Sequence, residues 1–173
     1  MTAIIREIDK NNPQELRIVT ERCMAAVLET IPEFDGKAEI AKQQLSNFSH
    51  KHISAMIRND FDDKSKRIMV ALVGEEIVGQ ELYSVKTDTE GKTYGFCFSR
   101  YIAPEYRRKG IAALLLEQAI DWFSSNGADY ALAQTHVTNI AMQKLFTKFG
   151  FTISGPFTDA WEYYTLRKEL SGG

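Results

Sequence analysis

The 173-residue chain is short of several features that would place it in a specialised class of protein. Two cysteines, Cys23 and Cys97, do not make a disulfide framework. The net charge of −2 leaves the chain without the positive charge typical of nucleic-acid binding. The longest apolar run, residues 111–116, is far too short to cross a bilayer. With no signal peptide visible, these deficits predict a cytoplasmic protein without nucleic-acid or membrane partners.

The composition that remains is that of an ordinary globular protein, with 44% apolar and 25% charged residues. A chain of this length can bury a sizeable core. No internal repeat or low-complexity segment divides the chain. We therefore predict one domain over residues 1–173.

The hydrophobic pattern predicts a mixed α/β sheet with helices on its faces. Short connections predict an antiparallel meander of three strands, and the helix after it predicts a parallel crossover to the next strand. The predicted strands are residues 4–8, 67–73, 76–87, 93–102, 129–135, 151–154 and 160–169. The predicted helices are residues 13–31, 37–59, 110–125 and 138–149.

Several punctuating residues refine this outline. Asn12 is a helix cap followed by a proline. Gly79, inside a strand, predicts a bulge or a close backbone approach. Residues 60–66 read as a polar connector, and Gly155-Pro156 as a turn. The loop over residues 29–36 carries three acids and a Phe34 that looks exposed.

The sequence Arg107-Arg108-Lys109-Gly110-Ile111-Ala112 lies between a predicted strand and a predicted helix. A strand–turn–helix aims free backbone N–H groups and the positive end of the helix at one point, where an anion binds. Gly110 lets the backbone approach a ligand closely, and the small Ala112 keeps the first helical turn open. We infer a pyrophosphate as the ligand, whereas for the hexamer alone a solvated basic loop is the alternative.

The Arg-x-x-Gly-x-Ala spacing of this turn resembles the acetyl-CoA signature of the GNAT superfamily of N-acetyltransferases. A second stretch, which begins with Asn139 and ends in Gly150-Phe151, resembles the second signature of the family. The resemblance covers roughly residues 67–170, the expected acetyl-CoA-binding core. It implies the GNAT fold, a mostly antiparallel mixed sheet of about seven strands and about four helices with a splayed central parallel pair.

The same resemblance implies acetyl-CoA as cosubstrate, no metal, and a set of cofactor-binding residues. Backbone groups of Tyr101 and Ile102 would bond the pantetheine arm, and Asn139 would lie by that arm or serve as a plain helix cap. Phe146 belongs to the same predicted cofactor-binding set. Arg107 and Arg108 would add charge-assisted bonds to phosphate oxygens. The pyrophosphate would be held by the N–H groups of Arg108, Lys109, Gly110, Ile111 and Ala112.

The reaction implied is direct attack of a primary amine on the thioester, which needs a base for the amine proton and is helped by an acid at the leaving thiolate. Two family features are missing: Phe146 stands where many members carry a tyrosine acid, and Phe96 stands where many carry a carboxylate base. A thiol leaves tolerably without help, because its pKa is about 8.5. The substitutes predicted for catalysis are Tyr101, Glu81 and Tyr164, with Ser99 and Tyr163 as further candidates. Each is also explicable as a core or rim residue.

Side chains alternate between the two faces of a strand, so Arg100 is predicted to share a face with the apolar residues Phe96, Phe98 and Ile102. Burying a cation on an apolar face is costly unless the cation is paired or reaches water. Three interpretations stay open. Arg100 pairs with an acid such as Glu81, a bulge turns it to solvent, or it binds the carboxylate of an acceptor in the splayed cleft.

The sequence leaves the acceptor unnamed. His136, at a strand end beside the cleft, is an acid–base candidate or an ordinary loop residue, and Cys97 reads as a buried apolar residue. We predict an N-acetyltransferase acting on a small-molecule or peptide amine. The alternative is a GNAT-fold module that binds or senses acyl-CoA with little catalysis. A homodimer through the aromatics of residues 94–101 and 161–164 is an option that core burial explains equally well.

Overall fold

The computed structural model describes residues 1–60 and 63–170. Residues 61 and 62 of the predicted connector, and the last three residues of the predicted domain, lie outside the described residues. The strands are β1 (Ile4–Glu7), β2 (Lys66–Val73), β3 (Glu76–Thr87), β4 (Thr93–Ile102), β5 (Tyr130–His136), β6 (Thr152–Thr158) and β7 (Glu162–Glu169). The helices are α1 (Pro13–Thr30), α2 (Ala38–Gln44), α3 (His50–Asp60), α4 (Ile111–Ser125) and α5 (Ile140–Lys148).

Within the described residues the strands form one 7-stranded sheet in the order β1-β2-β3-β4-β5-β7-β6. Neighbouring strands run antiparallel except β4 and β5, which are parallel. The helix α4 makes the crossover between this parallel pair, as its place in the sequence predicts. The mixed, mostly antiparallel sheet is confirmed.

The single helix predicted over residues 37–59 is wrong, because two helices, α2 and α3, occupy this stretch. Asn47 between them has a φ of +63°, a left-handed conformation that ends a helix. The hydroxyl of Ser49 then accepts the N–H of His52 at 3.2 Å and caps the new helix. The part of the chain that the structure describes therefore has five α-helices rather than about four.

The predicted turn at Gly155-Pro156 is also wrong. These two residues lie inside β6, where the register with β7 shifts between Ser154 and Phe157. The peptide bond between them is cis. The chain reverses instead between β6 and β7, where the N–H of Asp159 donates to the carbonyl of Trp161 at 3.1 Å.

Helices cover both faces of the sheet. Along β2, Met69 and Ala71 belong to one buried cluster and Val70 to another, as the period of two requires. Residues of α4 such as Leu116 pack in the first cluster, and Val19 of α1 packs in the second. Asn12 caps α1 as predicted, its side chain accepting the N–H groups of the first turn.

The two parallel strands separate part-way along their length. Residues 94–97 of β4 pair with residues 130–133 of β5, and the described strands make no pairing beyond that point. A β-bulge lies where they part. Leu82 of β3 faces Ser99 and Tyr83 faces Cys97, so Phe98 is the extra residue that the bulge inserts into β4. The splayed central pair is thus confirmed, and residues 99–102 of β4 lie beyond the described pairing with β5.

Two glycines let elements approach closely. At Gly79 a Cβ would lie 2.8 Å from Cδ1 of Ile102, which confirms the predicted close approach. The register of β2 with β3 shifts beside Gly79, which confirms the predicted bulge. At Gly95 a Cβ would lie 2.2 Å from Cγ of Phe123. That glycine lets α4 pack directly on β4 at the base of the splay.

Candidate active site

A cavity of about 280 Å³ lies where β4 and β5 diverge. Residues of both strands line it, and α1 and α5 close its sides. The lining residues on which the site depends are Phe98, Arg100, Gln134, Thr135, His136 and Phe146. Trp161 and Ile31 contribute at the end nearer α1.

The basic turn leads from β4 into α4 and presents free donors. Gly110 is the N-cap of α4 with a φ of +85°, and Arg108 has a φ of +61°. No side chain caps the helix, and in the described structure the N–H groups of residues 108–112 have no acceptor. A Cβ placed on Gly110 would meet nothing within 4 Å, so the space in front of the turn is open. These features fit a pyrophosphate.

Arg107 lies differently from the rest of the turn. Its Nε donates to the carbonyl of Ile102 at 2.8 Å, and its Nη2 donates to Glu29 at 2.8 Å. Its guanidinium also lies 5.5 Å from the ring centroid of Tyr101. The predicted bond from Arg107 to a phosphate stays a prediction and would replace the ion pair with Glu29. Arg108 and Lys109 are exposed beside the open space.

Arg100 pairs with Glu81 of the neighbouring strand, through Nη2 and Oε1, which confirms the first of its three interpretations. The Glu81 side chain is fully buried, and that of Arg100 is 12% exposed, so the interpretation that a bulge turns it to solvent is wrong. The bulge at Phe98 instead breaks the predicted alternation, because it leaves Arg100 on the face of Phe146 rather than on that of Phe96. Burial raises the pKa of Glu81, and Arg100 opposes that rise.

Phe146 and Asn139, both on α5, line the cavity. Phe146 is fully buried, with its ring 4.7 Å from that of Phe151 between centroids. Asn139 is the N-cap of the helix and accepts the N–H of Met142 at 3.3 Å. The cap predicted as one of its two roles is confirmed, and its place in the cavity wall leaves the pantetheine role as a prediction.

His136 and Glu33 meet at the cavity, although 103 residues separate them. The Nε2 atom of His136 lies 3.0 Å from Oε1 and 2.9 Å from Oε2 of Glu33. The N–H of Thr138 donates to Nδ1, so the neutral ring carries its proton on Nε2 and donates it to Glu33. That hydrogen bond lowers the pKa of Glu33.

The loop before α2 positions this acid. Glu33 lies in a short 3-10 helix, Pro32–Phe34. Phe34 is buried, contrary to its exposed appearance in the sequence, and packs edge-on against Trp161 with ring centroids 6.2 Å apart. The side chain of Glu33 remains 46% exposed. Sequence reasoning named His136 as an acid–base candidate and treated Glu33 only as one of three acids in the loop over residues 29–36, so it did not connect the two residues.

Two residues predicted for catalysis lie away from the cavity lining. The ring of Tyr101 lies under the guanidinium groups of Arg22 and Arg107, at 5.6 and 5.5 Å. Tyr164 pairs with Thr135 across β5 and β7 and does not line the cavity. Of the three predicted catalytic residues, the structure places only Glu81 in the cavity wall. Their chemical roles stay predictions.

The cysteines are not placed for nucleophilic chemistry. Burial raises the pKa of Cys97 well above its usual value and that of Cys23 to about 11. Both thiols are therefore protonated near neutral pH. Among the residues that the structure describes, no three His, Cys, Asp or Glu are grouped so that they could hold a metal ion.

Comparison with known proteins decides the family. The sequence model of the Acetyltransferase (GNAT) family matches residues 34–151. The chain belongs to this family. The acetyltransferase class and acetyl-CoA as the family's cosubstrate agree with the two signatures found in the sequence.

One relative is N-alpha-acetyltransferase 30 of Xenopus laevis, 33% identical over 84 residues. That stretch is 47% of this chain and 30% of the relative, so the chain spans less than a third of the relative's length.

Solved GNAT structures share the fold over nearly the whole chain. The PaiA N-acetyltransferase from Thermoplasma acidophilum, solved with coenzyme A, superposes with a TM-score of 0.75 at 17% identity, over 98% of this chain and 100% of that one. A GNAT acetyltransferase from Streptococcus pneumoniae gives a TM-score of 0.72 at 20% identity, with the same shares covered. The GNAT fold is thereby confirmed. No helix in the described part of the chain is long and apolar enough to span a membrane.

Proposed function

We propose that this protein transfers the acetyl group of acetyl-CoA to a primary amine of a small molecule or peptide, with the amine entering beside Glu33 and His136. The observation that carries the proposal is that the splayed strands and His136 line the same cavity, and that Glu33 hydrogen-bonds to His136 there. The open basic turn lies at the end of β4, so the same strand would contact both acetyl-CoA, the acetyl donor, and the amine that accepts the acetyl group.

The residues that would hold acetyl-CoA are on two elements. The turn over residues 107–112 would bind the pyrophosphate, and backbone groups of Tyr101 and Ile102, on the part of β4 that parts from β5, would bond the pantetheine arm. Acetyl-CoA supplies the thioester whose carbonyl carbon the amine attacks. Asn139 at the start of α5 faces the same cavity and would contact the arm from the other side.

Glu33 is suited to bind the ammonium form of the acceptor. Its carboxylate is about half exposed and carries its negative charge near neutral pH, since His136 lowers its pKa. A charge-assisted bond would orient the acceptor nitrogen toward the cavity. The proton that the nitrogen must lose before attack would pass to the Glu33–His136 pair or through it to water. His136 also fixes the carboxylate in place.

The acceptor class is an amine on an otherwise apolar group. Trp161, Ile31 and Phe98 line the same cavity as His136, which suits a hydrophobic side chain next to the amine. A peptide N terminus has this form, and the relative named N-alpha-acetyltransferase 30 supports that choice. Small primary amines of similar shape remain within the proposal.

The test separates acceptor binding from donor binding. In the variant Glu33→Gln we expect the Michaelis constant of amine acceptors to rise about tenfold, because a neutral amide binds ammonium more weakly by one charge-assisted bond. The affinity for CoA, measured by calorimetry, should not change. The control is Asp35→Asn, which removes an exposed acid two residues away that pairs with Lys37 at 3.7 Å and does not line the cavity.

An equal change in both variants would contradict the role of Glu33. The binding module without catalysis, favoured by the missing hydroxyl at Phe146, would give tight CoA binding and no acetylated product from any amine. A homodimer also stays a prediction, and light scattering of the purified chain tests it. The surface predicted for it, the aromatics of residues 94–101 and 161–164, is in part packed within the chain, since Tyr94 stacks on Tyr130 and Trp161 packs against Phe34.

A further inference from the structure

Arg100 occupies an unusual position for a buried cation. Its Cζ atom lies 4.9 Å from the ring centroid of Phe146, and the residue lines the cavity. Glu81 engages only Nη2, while Nε and Nη1 are buried and have no hydrogen-bond partner among the described residues. Buried guanidinium donors without an acceptor are costly, and such groups usually have a role that explains them.

The second observation is the residue beneath the guanidinium. Phe146 offers no proton to a leaving group, and its ring is the surface on which Arg100 lies. A tyrosine here would carry its hydroxyl at the edge of this ring. The guanidinium, over the face of the same ring, therefore lies next to the position where the proton donor is missing.

We propose that Arg100 is a catalytic residue that stabilises the thiolate of CoA as it leaves, in place of the absent acid on α5. This inference rests on the proposed acetyl transfer. The amine nitrogen forms a bond to the thioester carbon, and the carbon–sulfur bond breaks with its electron pair going to sulfur. The amine proton goes to Glu33–His136 or to water, and the sulfur leaves as an anion beside the guanidinium.

The chemistry suits arginine. Its guanidinium keeps its proton at every working pH, so it acts through charge and not as an acid. A thiol has a pKa of about 8.5, so a fixed cation beside the sulfur would lower that pKa and help the thiolate to leave near pH 7. Glu81 is then a positioning residue, since its fully buried carboxylate holds the guanidinium on the ring of Phe146.

The experiment measures the thiol of bound CoA directly and needs no acceptor. The ultraviolet absorbance of the thiolate is titrated in the complex of the protein with CoA. We expect the thiol pKa to fall by about one unit or more in the wild type and to return toward about 8.5 in Arg100→Met. The matched control is Arg67→Met, because Arg67 also lies over an aromatic ring, Trp122, and pairs with a carboxylate, Glu7, outside the cavity.

A wild-type complex whose bound thiol titrates like free CoA would overturn the proposal. If Arg100→Met fails to fold because Glu81 is left unpaired, the double variant Glu81→Gln with Arg100→Met takes its place. A change confined to acceptors that carry a carboxylate, with the thiol pKa unmoved, would also overturn it and favour acceptor binding by Arg100. Failure of the proposed function would show separately, as a lowered thiol pKa with no turnover.

Turnover supplies a second readout. We expect Arg100→Met to lower kcat about a hundredfold with little change in CoA affinity. Adding Phe146→Tyr to that variant should restore activity about tenfold, because the phenol then supplies the proton. The same Phe146→Tyr change alone should have little effect. Absence of rescue together with a fall in melting temperature would mean that Arg100 is structural, and would overturn the proposal.

Discussion

Gly110 combines a backbone that favours glycine with open space in front of it. Its φ of +85° disfavours any residue with a Cβ, and a Cβ there would point where no atom lies within 4 Å. An anion bound to the N–H groups of the turn would occupy that space. Glycine at this position therefore permits the positive φ that the turn requires, and its lack of a side chain leaves room for the ligand.

We predict that Gly110→Ala lowers the affinity for CoA at least tenfold, because the added methyl group blocks the approach of the pyrophosphate. The backbone strain, roughly 1–2 kcal/mol, should appear as a lower melting temperature. Gly127→Ala is the matched control, since Gly127 also has a positive φ, +74°, with nothing within 4 Å of its Cβ position, at the other end of α4. Calorimetry with CoA on both variants distinguishes the effects. Equal affinities in the two would contradict the site.

The residues that sequence reasoning placed well are those whose role is local. The turn at residues 107–112 and the cap at Asn139 follow from neighbours in the chain. The pair of Arg100 with Glu81 could also be predicted, because a cation on a buried strand needs an acid on the next strand. The pair of Glu33 with His136 could not, since nothing in the sequence brings a loop before α2 to the end of β5.

At the scale of elements, the start of α5 serves both the fold and the site. Asn139 caps the helix and lines the cavity. Serine also caps helices well but is too short to reach a ligand as an amide does. Two substitutions at this position therefore separate the two roles.

We predict that Asn139→Ser keeps the melting temperature close to that of the wild type and weakens CoA binding several-fold. Asn139→Ala should weaken CoA binding similarly and also lower stability by about 1 kcal/mol through loss of the cap. Thermal unfolding and calorimetry on the same samples provide the comparison. If Asn139→Ser binds CoA with wild-type affinity, Asn139 acts only as a helix cap and the predicted contact with CoA is wrong.

Elements with strong hydrophobic periodicity lie where the sequence predicts them. The strands β3 and β4 have the predicted bounds, and α4 differs from its predicted span by one residue. The wrong predictions fall where a few residues set the backbone conformation against the hydrophobic periodicity. Asn47 and Ser49 break an apolar stripe that continues through them, and the Gly155-Pro156 pair is absorbed as an irregularity inside β6. Both depend on backbone conformations that periodicity does not report.

At the scale of the whole molecule, the site is a consequence of how the sheet opens. The short pairing of β4 with β5, the bulge at Phe98 and the contact of Gly95 with Phe123 together set where the strands part. The parallel pairing of β4 with β5 among antiparallel neighbours could be predicted from connection lengths. The point of parting could not, because a bulge inserts one residue without a strong sequence signal, and it reverses the face of every residue that follows.

Acetyl transfer from acetyl-CoA to an amine at the mouth of this cavity is the central activity proposed for this protein. The direct measurement is mass spectrometry of a panel of peptide N termini and small primary amines after incubation with protein and isotopically labelled acetyl-CoA. Release of free thiol is followed in parallel. We predict labelled acetyl groups on amines next to apolar side chains, in step with thiol release and much reduced in Gly110→Ala. Tight CoA binding with no labelled product from any amine would contradict the account.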